Sequence, residues 1–378
     1  MSGLYIHIPF CTYKCSYCNF YSVVNMNDRE IYKNYIEALI SELKLRIKDY
    51  NQEINTIYFG GGTPSVLNAD LLKYLIKNIL NILKNHQDIK LIKEITIESN
   101  INDINTEYIN FLESVENIRI SLGLQTFNEK SLFLINRHTE LKEIIKALKL
   151  LNNSSIENIS LDFISGLPLN DKLQTKKDII KALDILPKTK HISLYYLELT
   201  KSLEEKWRDY LPKEEESVEY YEISSNTLKD LGFIRYEISN YAINNYESIH
   251  NSNYWKLKNY LGLGASAVGY YNSERYENIK SIKDYIENVK QNKKPAKEIE
   301  YIDKETQKKE LIFLSLRTVK GIDINNYNSL FKEDFRDKYS SIIKNNRNYF
   351  IITDEYLSIK ENYFNYADEI SLLFLWLV

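Results

Sequence analysis

The sequence is poor in sulfur. Only three of its 378 residues are cysteine and two are methionine, and Cys11, Cys15 and Cys18 all lie close to the start of the chain. An odd, clustered set of cysteines cannot form a disulfide framework. The sequence also lacks a basic segment followed by a long apolar one before its first strand-like run. We therefore expect a cytoplasmic protein whose thiols stay reduced.

Long hydrophobic runs and a surplus of one charge are absent as well. No segment approaches the roughly 20 apolar residues that a membrane-spanning helix needs. Lysine plus arginine (49) nearly balance aspartate plus glutamate (52), so no basic field predicts a nucleic-acid partner. The apolar run 372–378 is too short to span a bilayer. We expect it to dock into a core or a subunit interface, and a homodimer and a peripheral membrane contact stay open as alternatives.

What the sequence does contain is a regular alternation of short β-branched or aromatic runs and longer segments of helical period. The predicted strands are Leu4–Ile8, Thr56–Phe59, Glu94–Glu98, Ile118–Gln125, Asn158–Phe163 and His191–Leu197. The predicted helices are Glu30–Lys48, Asp70–Lys84, Glu107–Leu112, Glu129–Ile135, Leu141–Leu151 and Lys172–Leu186. Such units predict an α/β fold with a parallel sheet and right-handed crossovers. Their number favours a partial, TIM-like (β/α)6 barrel, with its chemistry at the carboxyl ends of the strands, over a doubly wound sheet.

The pattern changes near residue 200. Glu214–Leu231 is typical of a helix and Phe233–Ile238 of a strand, a glycine-rich stretch follows at Gly262–Gly264, and Lys290–Lys297 has the composition of a linker. We therefore predict three parts: a barrel over residues 1–200, an extension of the barrel over 201–285, and a small α+β domain over 286–378.

The three cysteines follow the first predicted strand with the spacing C-x3-C-x2-C. Thiolates select zinc or iron–sulfur clusters. A structural zinc site prefers four closed ligands, whereas three cysteines on one loop suit a [4Fe–4S] cluster with one iron left open. Two alternatives stay open on the residues alone: three inert buried thiols, and a zinc site with a remote fourth ligand such as His7.

The string from Tyr5 to Cys11, Tyr-Ile-His-Ile-Pro-Phe-Cys, together with this spacing resembles the radical S-adenosylmethionine (SAM) superfamily. Within it, the string is similar to the branch that holds oxygen-independent coproporphyrinogen III dehydrogenase and the heme chaperone HemW. The resemblance implies a radical SAM barrel with a C-terminal extension and a small further domain. It also implies a [4Fe–4S] cluster on Cys11, Cys15 and Cys18, whose open iron binds SAM.

The resemblance further implies a set of SAM-binding residues. A Gly-Gly-Gly-Thr-Pro turn after the second strand exposes bare backbone to the ligand. A carboxylate suits the ligand's amine, a guanidinium its carboxylate, and an aspartate its ribose hydroxyls. A single polar residue of this kind is more often exposed on the surface or hydrogen-bonded within the core. The implied residues are Tyr5, Tyr17, Gly61, Gly62, Thr63, Glu98, Gln125, Arg137, Asp162 and Val268.

Two features favour the chaperone branch over the dehydrogenase. The Tyr-x-His motif starts at residue 5 without a longer N-terminal arm, and Cys18 is followed by Asn19-Phe20 rather than by a further cysteine. The string from His250 to Trp255, His-Asn-Ser-Asn-Tyr-Trp, resembles the H-N-x-x-Y-W motif whose histidine is implicated in heme binding. On the residues alone, His250 is better explained as a structural histidine in an aromatic cluster.

The resemblance thus predicts a heme chaperone that binds heme, SAM and the cluster and delivers heme to respiratory hemoproteins, with an electron donor as a further partner. Two other functions stay open: oxidative decarboxylation of coproporphyrinogen III, and radical chemistry on another substrate. Whether the protein is an enzyme in its own right is not decided by these motifs.

Overall fold

The computed structural model describes residues 2–24 and 29–375. In chain order its strands are β1 (Ser2–Ile8), β2 (Phe10–Cys11), β3 (Val23–Val24), β4 (Ile54–Gly61), β5 (Glu94–Asn100), β6 (Ile118–Gln125), β7 (Asn158–Ser165), β8 (His191–Tyr196), β9 (Ile234–Arg235), β10 (Asn240–Ala242), β11 (Tyr260–Leu263), β12 (Val268–Tyr271), β13 (Glu274–Asn278), β14 (Ala296–Tyr301), β15 (Ile322–Asp323), β16 (Phe350–Ile352) and β17 (Tyr356–Ile359). Its α-helices are α1 (Arg29–Arg46), α2 (Ala69–Lys84), α3 (Thr106–Glu113), α4 (Glu129–Leu134), α5 (Leu141–Asn152), α6 (Gln174–Ile185), α7 (Lys201–Trp207), α8 (Glu214–Asp230), α9 (Ile249–Trp255), α10 (Ile282–Lys290), α11 (Lys304–Leu316), α12 (Ile324–Phe331), α13 (Phe335–Lys338), α14 (Ser340–Asn345) and α15 (Ala367–Leu375).

The centre of the molecule is a parallel sheet whose strands follow the chain in the order β1-β4-β5-β6-β7-β8. Each of these strands coincides with a predicted one, and the predicted α/β class and partial barrel are confirmed. The strands are apolar on both faces because helices such as α2 and α5 cover one face while the barrel interior lies on the other. Over the described residues the sheet ends at β14 on one side and at β9 on the other.

The glycine-rich stretch forms part of the sheet. Strand β11 lies parallel to β1, with Tyr5 opposite Gly262, and β12, β13 and β14 continue outward in antiparallel order. A Cβ at Gly262 would stand only 1.9 Å from the carbonyl oxygen of Val268, so the tight return from β11 to β12 requires glycine there. The predicted strand Phe233–Ile238 is shorter than expected. Only Ile234–Arg235 forms a strand. The Phe233 N–H donates instead to the Leu228 carbonyl at the end of α8.

A second hydrophobic cluster lies in the C-terminal part, where α11 to α15 pack around the small sheet β15-β17-β16. Phe374, from the apolar C-terminal run, is 1% exposed within this cluster, while residues 376–378 lie outside the described residues. Helix α10 spans the predicted boundary at 286, and β14 pairs with β13 of the main sheet. The three-part division of the chain stays a prediction. Among the described helices, none combines the length and the hydropathy needed to cross a bilayer.

Helix α9 contacts β1 and β4 of the barrel sheet and is anchored by one carboxylate. Glu94, at the start of β5, accepts hydrogen bonds from the backbone N–H groups of Ile249 (2.9 Å) and His250 (3.0 Å) and from the Ser248 hydroxyl (3.4 Å). A buried anion at the first turn satisfies N–H groups that a helix leaves without partners. The H-N-x-x-Y-W motif is therefore fixed against the barrel.

Candidate functional site

The cysteine loop follows β1 directly, as the sequence predicted. Cys11 ends β2, and all three thiols are free and half-buried. Burial raises the pKa of the Cys11 thiol, a hydrogen bond from Thr63 opposes this, and the charges of Cys18 and Cys15 add to the rise. Within the described residues, no three His, Cys, Asp or Glu side chains converge closely enough to hold a metal ion.

The glycine turn fastens this loop to β4. The Gly62 N–H donates to the Ile8 carbonyl and the Thr63 N–H to the Phe10 carbonyl, both at 2.8 Å. A Cβ at Gly62 would stand 2.7 Å from the Phe10 oxygen, and Gly61 has φ +107° with the His7 ring where its Cβ would be. Gly61 and Gly62 are thus required by the close approach of two backbones. Thr63 also contacts the Cys11 sulfur through its hydroxyl at 3.4 Å.

A cavity of about 690 Å³ opens beside this loop at the carboxyl ends of the strands. Four of the predicted SAM residues line it together: Tyr5, Gly61, Glu98 and Val268. Asn251 and Tyr254 from the H-N-x-x-Y-W motif line the same cavity. The structure therefore brings residues from β1, β4, β5, β12 and α9 to one chamber, which we call the first cavity.

Glu98 is the acidic group of the first cavity. Its Oε1 accepts a hydrogen bond from the Tyr58 hydroxyl at 2.6 Å. Burial raises the pKa of Glu98 to about 7; the Tyr58 hydrogen bond lowers it and the charge of Asp162 raises it further. Near neutral pH this carboxyl group is poised between its acid and its anion. A bound cation would favour the anion.

Three further predicted residues form a second group next to the cysteine loop. Gln125 donates from Nε2 to the Tyr17 hydroxyl at 3.2 Å, and the Arg137 guanidinium contacts the Gly123 carbonyl, Asn100 and the Cys15 sulfur. Gln125 adopts φ +70°, which is uncommon for a residue with a side chain. Its Oε1 and the Nε of Arg137 are buried without a hydrogen-bond partner in the described structure. An acceptor and a donor in this state fit a zwitterionic ligand such as SAM.

Asp162 is held by serine hydroxyls. Ser121 donates to both carboxylate oxygens at 3.2 Å and Ser160 to one of them at 3.4 Å, while burial raises the pKa of Asp162. Asp162 is not among the residues that line the first cavity. Its charge nevertheless reaches Glu98, so it lies near the cavity rather than on its wall. Its predicted contact with ribose hydroxyls stays a prediction.

The chain matches known proteins over its whole length. Residues 5–179 match the Radical SAM superfamily. The heme chaperone HemW of Lactococcus lactis subsp. lactis (strain IL1403) is 34% identical, with 96% of each chain covered, and that of Bacillus subtilis (strain 168) is 32% identical, with 91% of this chain and 90% of the relative covered. Coproporphyrinogen III oxidase from Escherichia coli has a similar fold, with a TM-score of 0.80 at 18% identity over 100% of this chain and 90% of the other.

This chain belongs to the heme chaperone HemW family. Family membership confirms the branch that the motif around His250 predicted. Membership in the radical SAM superfamily also implies a [4Fe–4S] cluster and SAM. The unsatisfied Gln125 and Arg137 atoms fit SAM. The three thiols on one loop are the donor set of a cluster, although in the described structure they do not converge on one point.

The structure weakens the zinc alternative for His7. One ring nitrogen lies 3.0 Å from the Tyr5 hydroxyl and the other 3.0 Å from the Tyr21 carbonyl oxygen, so neither is free to bind a metal. Burial lowers the pKa of His7 to about 4. His7 is thus held between Tyr5 and Tyr21, which line the first cavity with it.

His250 also has both ring nitrogens engaged. Nδ1 lies 2.8 Å from the Thr56 hydroxyl and Nε2 lies 2.9 Å from the Tyr254 hydroxyl, and the ring stacks on Tyr58 with centroids 5.0 Å apart. The side chain is 1% exposed. Burial, aided by the charge of Arg119, lowers the pKa of His250 to about 3. In this arrangement His250 does not line the first cavity, so direct contact with heme stays a prediction that requires α9 to move.

Sequence reasoning missed several residues of the first cavity. Lys14, Phe20 and Tyr21 line it from the cysteine loop, and Lys280 lines it from the far end of the sheet extension. The position of Lys14 inside the C-x3-C spacing was a usable signal. Lys280 carries no such signal, because only the antiparallel return through β12 and β13 brings it near the loop.

Proposed function

We propose that this protein is a cytoplasmic heme chaperone on a radical SAM scaffold. It binds heme, SAM and a [4Fe–4S] cluster and delivers heme to respiratory hemoproteins. The observation that carries the proposal is the match, over nearly the whole chain, to relatives that are named heme chaperones. The H-N-x-x-Y-W motif supports it independently, because Asn251 and Tyr254 lie on the wall of the same cavity as the SAM residues.

The proposal assigns the cluster to Cys11, Cys15 and Cys18, which lie on one loop held to β4 by the glycine turn. When bound, the cluster and SAM supply one-electron chemistry at the carboxyl ends of the strands. The chain's own contribution is orientation. Arg137, fixed by the Gly123 carbonyl and Asn100, keeps its Nε free for a carboxylate.

The remaining SAM contacts follow from charge and burial. Glu98 is the acceptor for the ligand's ammonium group, and Gly61 lies beside it on the cavity wall. Gln125 positions Tyr17 next to the cysteine loop, and Gly62 and Thr63 hold that loop in place. Tyr5 and Val268 give the cavity its apolar surface for the adenine, and Asp162 serves the ribose.

Further partners belong to the same proposal. Transfer requires a heme-accepting protein, and reduction of the cluster requires an electron donor. The exposed residues Phe20 and Leu372, at 71% and 42% exposure, offer surface for a second copy of the chain or for a membrane-bound acceptor. The cytoplasmic location fits thiols that must stay reduced to hold a cluster.

The alternative function is oxidative decarboxylation of coproporphyrinogen III. The similarity to the Escherichia coli oxidase, at 18% identity, supports the shared fold and not the activity. The missing cysteine after Cys18 argues against this alternative.

A two-part assay tests the proposal. Purified, anaerobically reconstituted protein is titrated with hemin, and the loaded protein is then mixed with an apo-hemoprotein while the transfer of heme is followed by absorbance. We expect saturable binding followed by transfer. In parallel, the reconstituted protein is supplied with SAM, a reductant and coproporphyrinogen III. Sustained turnover without heme transfer would contradict the proposal and favour the dehydrogenase.

A further inference from the structure

A second cavity of about 680 Å³ adjoins the first one and shares Tyr254 and Tyr260 with it. Among its charged residues, Arg275 and Glu310 bind each other, with Nη2 at 2.7 Å and 2.8 Å from the two carboxylate oxygens, and Lys309 is a further cation. A chamber of this size and lining can bury most of a small ligand's nonpolar surface. Its apolar and aromatic wall is formed by Leu257, Tyr260, Tyr270, Phe313, Leu314 and Leu375.

A third cavity, of about 530 Å³, continues from the second. Leu257, Lys258 and Tyr270 line both of them, so the two chambers are neighbours. Side-chain amides and a hydroxyl, which can donate hydrogen bonds, form much of the remaining lining of the third cavity and suit a polar head group. These residues are Asn259, Asn272, Ser273 and Gln307.

The third cavity has more cations than anions. Lys256, Lys258 and Lys304 line it, whereas Glu53 is the single carboxylate among its lining residues. Over residues 2–24 and 29–375, none of these three lysines forms an ion pair. Burial lowers the pKa of Lys256, and the charges of Lys320 and Lys258 lower it further. An anion bound between the lysines would relieve this repulsion.

The residue between two of these lysines has an unusual backbone. Leu257 follows α9 with φ +50°, a left-handed conformation in which glycine is the usual residue after a helix. Its N–H donates to the Tyr254 carbonyl and the Lys258 N–H to the Asn253 carbonyl, both at 3.0 Å. Leu257 packs against the second hydrophobic cluster and lines both cavities. A glycine at this position would therefore leave the boundary between the two cavities without an apolar side chain.

We propose that the second and third cavities together bind a single-chain amphiphilic anion of the fatty-acid class. Its hydrocarbon chain lies in the second cavity and its carboxylate lies beside Lys256 and Lys258 in the third. The inference does not depend on heme, SAM or a cluster, because none of the three cysteines and only residues outside the predicted SAM set line these two cavities.

The two parts of such a ligand contribute differently to its binding. Removal of the hydrocarbon chain from water supplies most of the affinity, in proportion to the apolar area that is buried. The lysines supply selectivity for an anionic head group, and their contribution is smaller because Lys256 and Lys258 are exposed to solvent. Chain length and head-group charge are therefore separable in experiment.

Displacement of a fluorescent fatty acid tests the ligand class. We expect 11-(dansylamino)undecanoic acid to bind the full-length protein saturably, with one molecule per chain, and oleate to displace it. Oleyl alcohol, which has the same chain without the charge, should compete about fivefold more weakly. Octanoate, which has the same head group on a short chain, should compete poorly. Displacement by hemin but not by oleate, or equal competition by oleate and octanoate, would overturn the proposal.

The head-group site is tested by removing two lysines. We expect Lys256→Ala with Lys258→Ala to weaken oleate binding about fivefold and to leave the binding of oleyl alcohol unchanged. The matched control is Lys283→Ala with Lys290→Ala, two exposed lysines of α10 that line neither cavity, and it should bind both ligands normally. An equal loss for oleate and for oleyl alcohol would contradict the head-group assignment.

The position of the chain is tested by filling the second cavity. We expect Leu314→Trp to weaken the binding of oleate and of oleyl alcohol alike by more than about tenfold, whereas Leu314→Met, which conserves volume, should bind both normally. Circular dichroism and SAM binding report whether each variant is folded. If Leu314→Trp does not fold, Phe313→Ala enlarges the same cavity and should shift the preferred ligand to a longer chain. Unchanged binding in folded Leu314→Trp, or an unchanged length preference in Phe313→Ala, would overturn the chain assignment.

Sedimentation with vesicles separates a free fatty acid from a membrane lipid as the source of this chemistry. We expect the wild type and Lys256→Ala with Lys258→Ala to sediment equally with vesicles of phosphatidylglycerol and phosphatidylcholine, because the lysines face a cavity ligand. Vesicle binding that depends on the two lysines, in a protein from which oleate displaces no dye, would assign them to a membrane surface and overturn the proposal.

Discussion

Strand β5 carries a glutamate at each end, and the two carboxyl groups differ in how many hydrogen bonds they accept from the chain. Glu94, at the amino end, is 2% exposed and accepts hydrogen bonds from Thr96, Ser248, Ile249 and His250. Glu98, at the carboxyl end, lines the first cavity and accepts one from the Tyr58 hydroxyl. Their separation of four residues along one strand places both side chains on the same face of the sheet.

The difference separates a structural role at the amino end of the barrel strands from a binding role at their carboxyl end. At the amino end the acceptor capacity of the carboxylate is used by the chain itself, which fixes α9. At the carboxyl end part of that capacity remains, and Gln125 and Arg137 nearby also keep buried atoms without partners in the described structure. Buried polar groups therefore stabilise the fold at the amino end of β5. At its carboxyl end they keep hydrogen-bonding capacity for a ligand.

The largest expected effect comes from exchanging these two carboxylates for amides. Glu94→Gln places an NH2 group against N–H donors of α9, and we expect it to lower the free energy of unfolding by about 3 kcal/mol. Glu98→Gln keeps an acceptor oxygen for the Tyr58 hydroxyl and should lower it by only about 1 kcal/mol while weakening SAM binding. Chemical denaturation and equilibrium dialysis with SAM measure the two quantities. Equal destabilisation by both variants would remove the distinction between the two ends.

A smaller loss of stability is expected where the glycine turn meets the cysteine loop. Gly62→Ala would place a Cβ 2.7 Å from one backbone oxygen and 2.8 Å from another, and we expect a cost of about 2 kcal/mol and poor cluster retention. Gly232→Ala is the matched control. It has φ +85° but no atom within 4 Å of the added Cβ, so it should cost about 1 kcal/mol and leave the cluster unaffected.

If Gly62→Ala retained its cluster and matched Gly232→Ala in stability, the close approach of the two backbones would not matter for the site.

The smallest effect is a pH dependence. The pKa of Glu98 is raised to about 7, mainly by burial, while Tyr58 and Arg119 oppose the rise and Asp162 adds to it. A carboxyl group whose pKa is raised on folding makes its favourable contribution below its ordinary pKa of 4.5, and that contribution is lost as the pH rises to about 7. The affinity for a cationic ligand changes in the opposite direction, because the anion forms over the same range.

We therefore expect the ratio of the SAM affinities of wild type and Glu98→Gln to rise with pH and to level off above about 7. Taking the ratio removes the titration of the ligand itself. Isothermal titration calorimetry across this range measures it, and a ratio that stays constant would show that Glu98 does not face the ligand's ammonium group.

The barrel was predictable because its signal is local. Each strand of the β/α units is an apolar run followed by a helix, and Ile118–Gln125 was predicted with the bounds that the structure has. Strand β11 was not predicted, because it has four residues of which one is glycine and its pairing with β1 joins distant parts of the chain. The cysteine spacing likewise identified the loop directly.

The sequence could not specify how the predicted residues divide among sites. His250 and Thr56 are 194 residues apart along the chain, so nothing near His250 indicates that both ring nitrogens are engaged. Likewise, Asp162 is surrounded by the hydroxyls of Ser121, Ser160 and Ser193, which come from three different strands, and only the sheet order β6-β7-β8 brings them together.

The proposed chemistry depends most on three thiols that hold an iron–sulfur cluster at the open end of the barrel. Its direct test is the quantitation of metal and sulfide in protein purified and reconstituted without oxygen. We expect about four iron and four sulfide per chain in the wild type and in the loop control Ser16→Ala, and neither in Cys15→Ala. Wild-type protein that folds normally but holds zinc, or no metal at all, would contradict it.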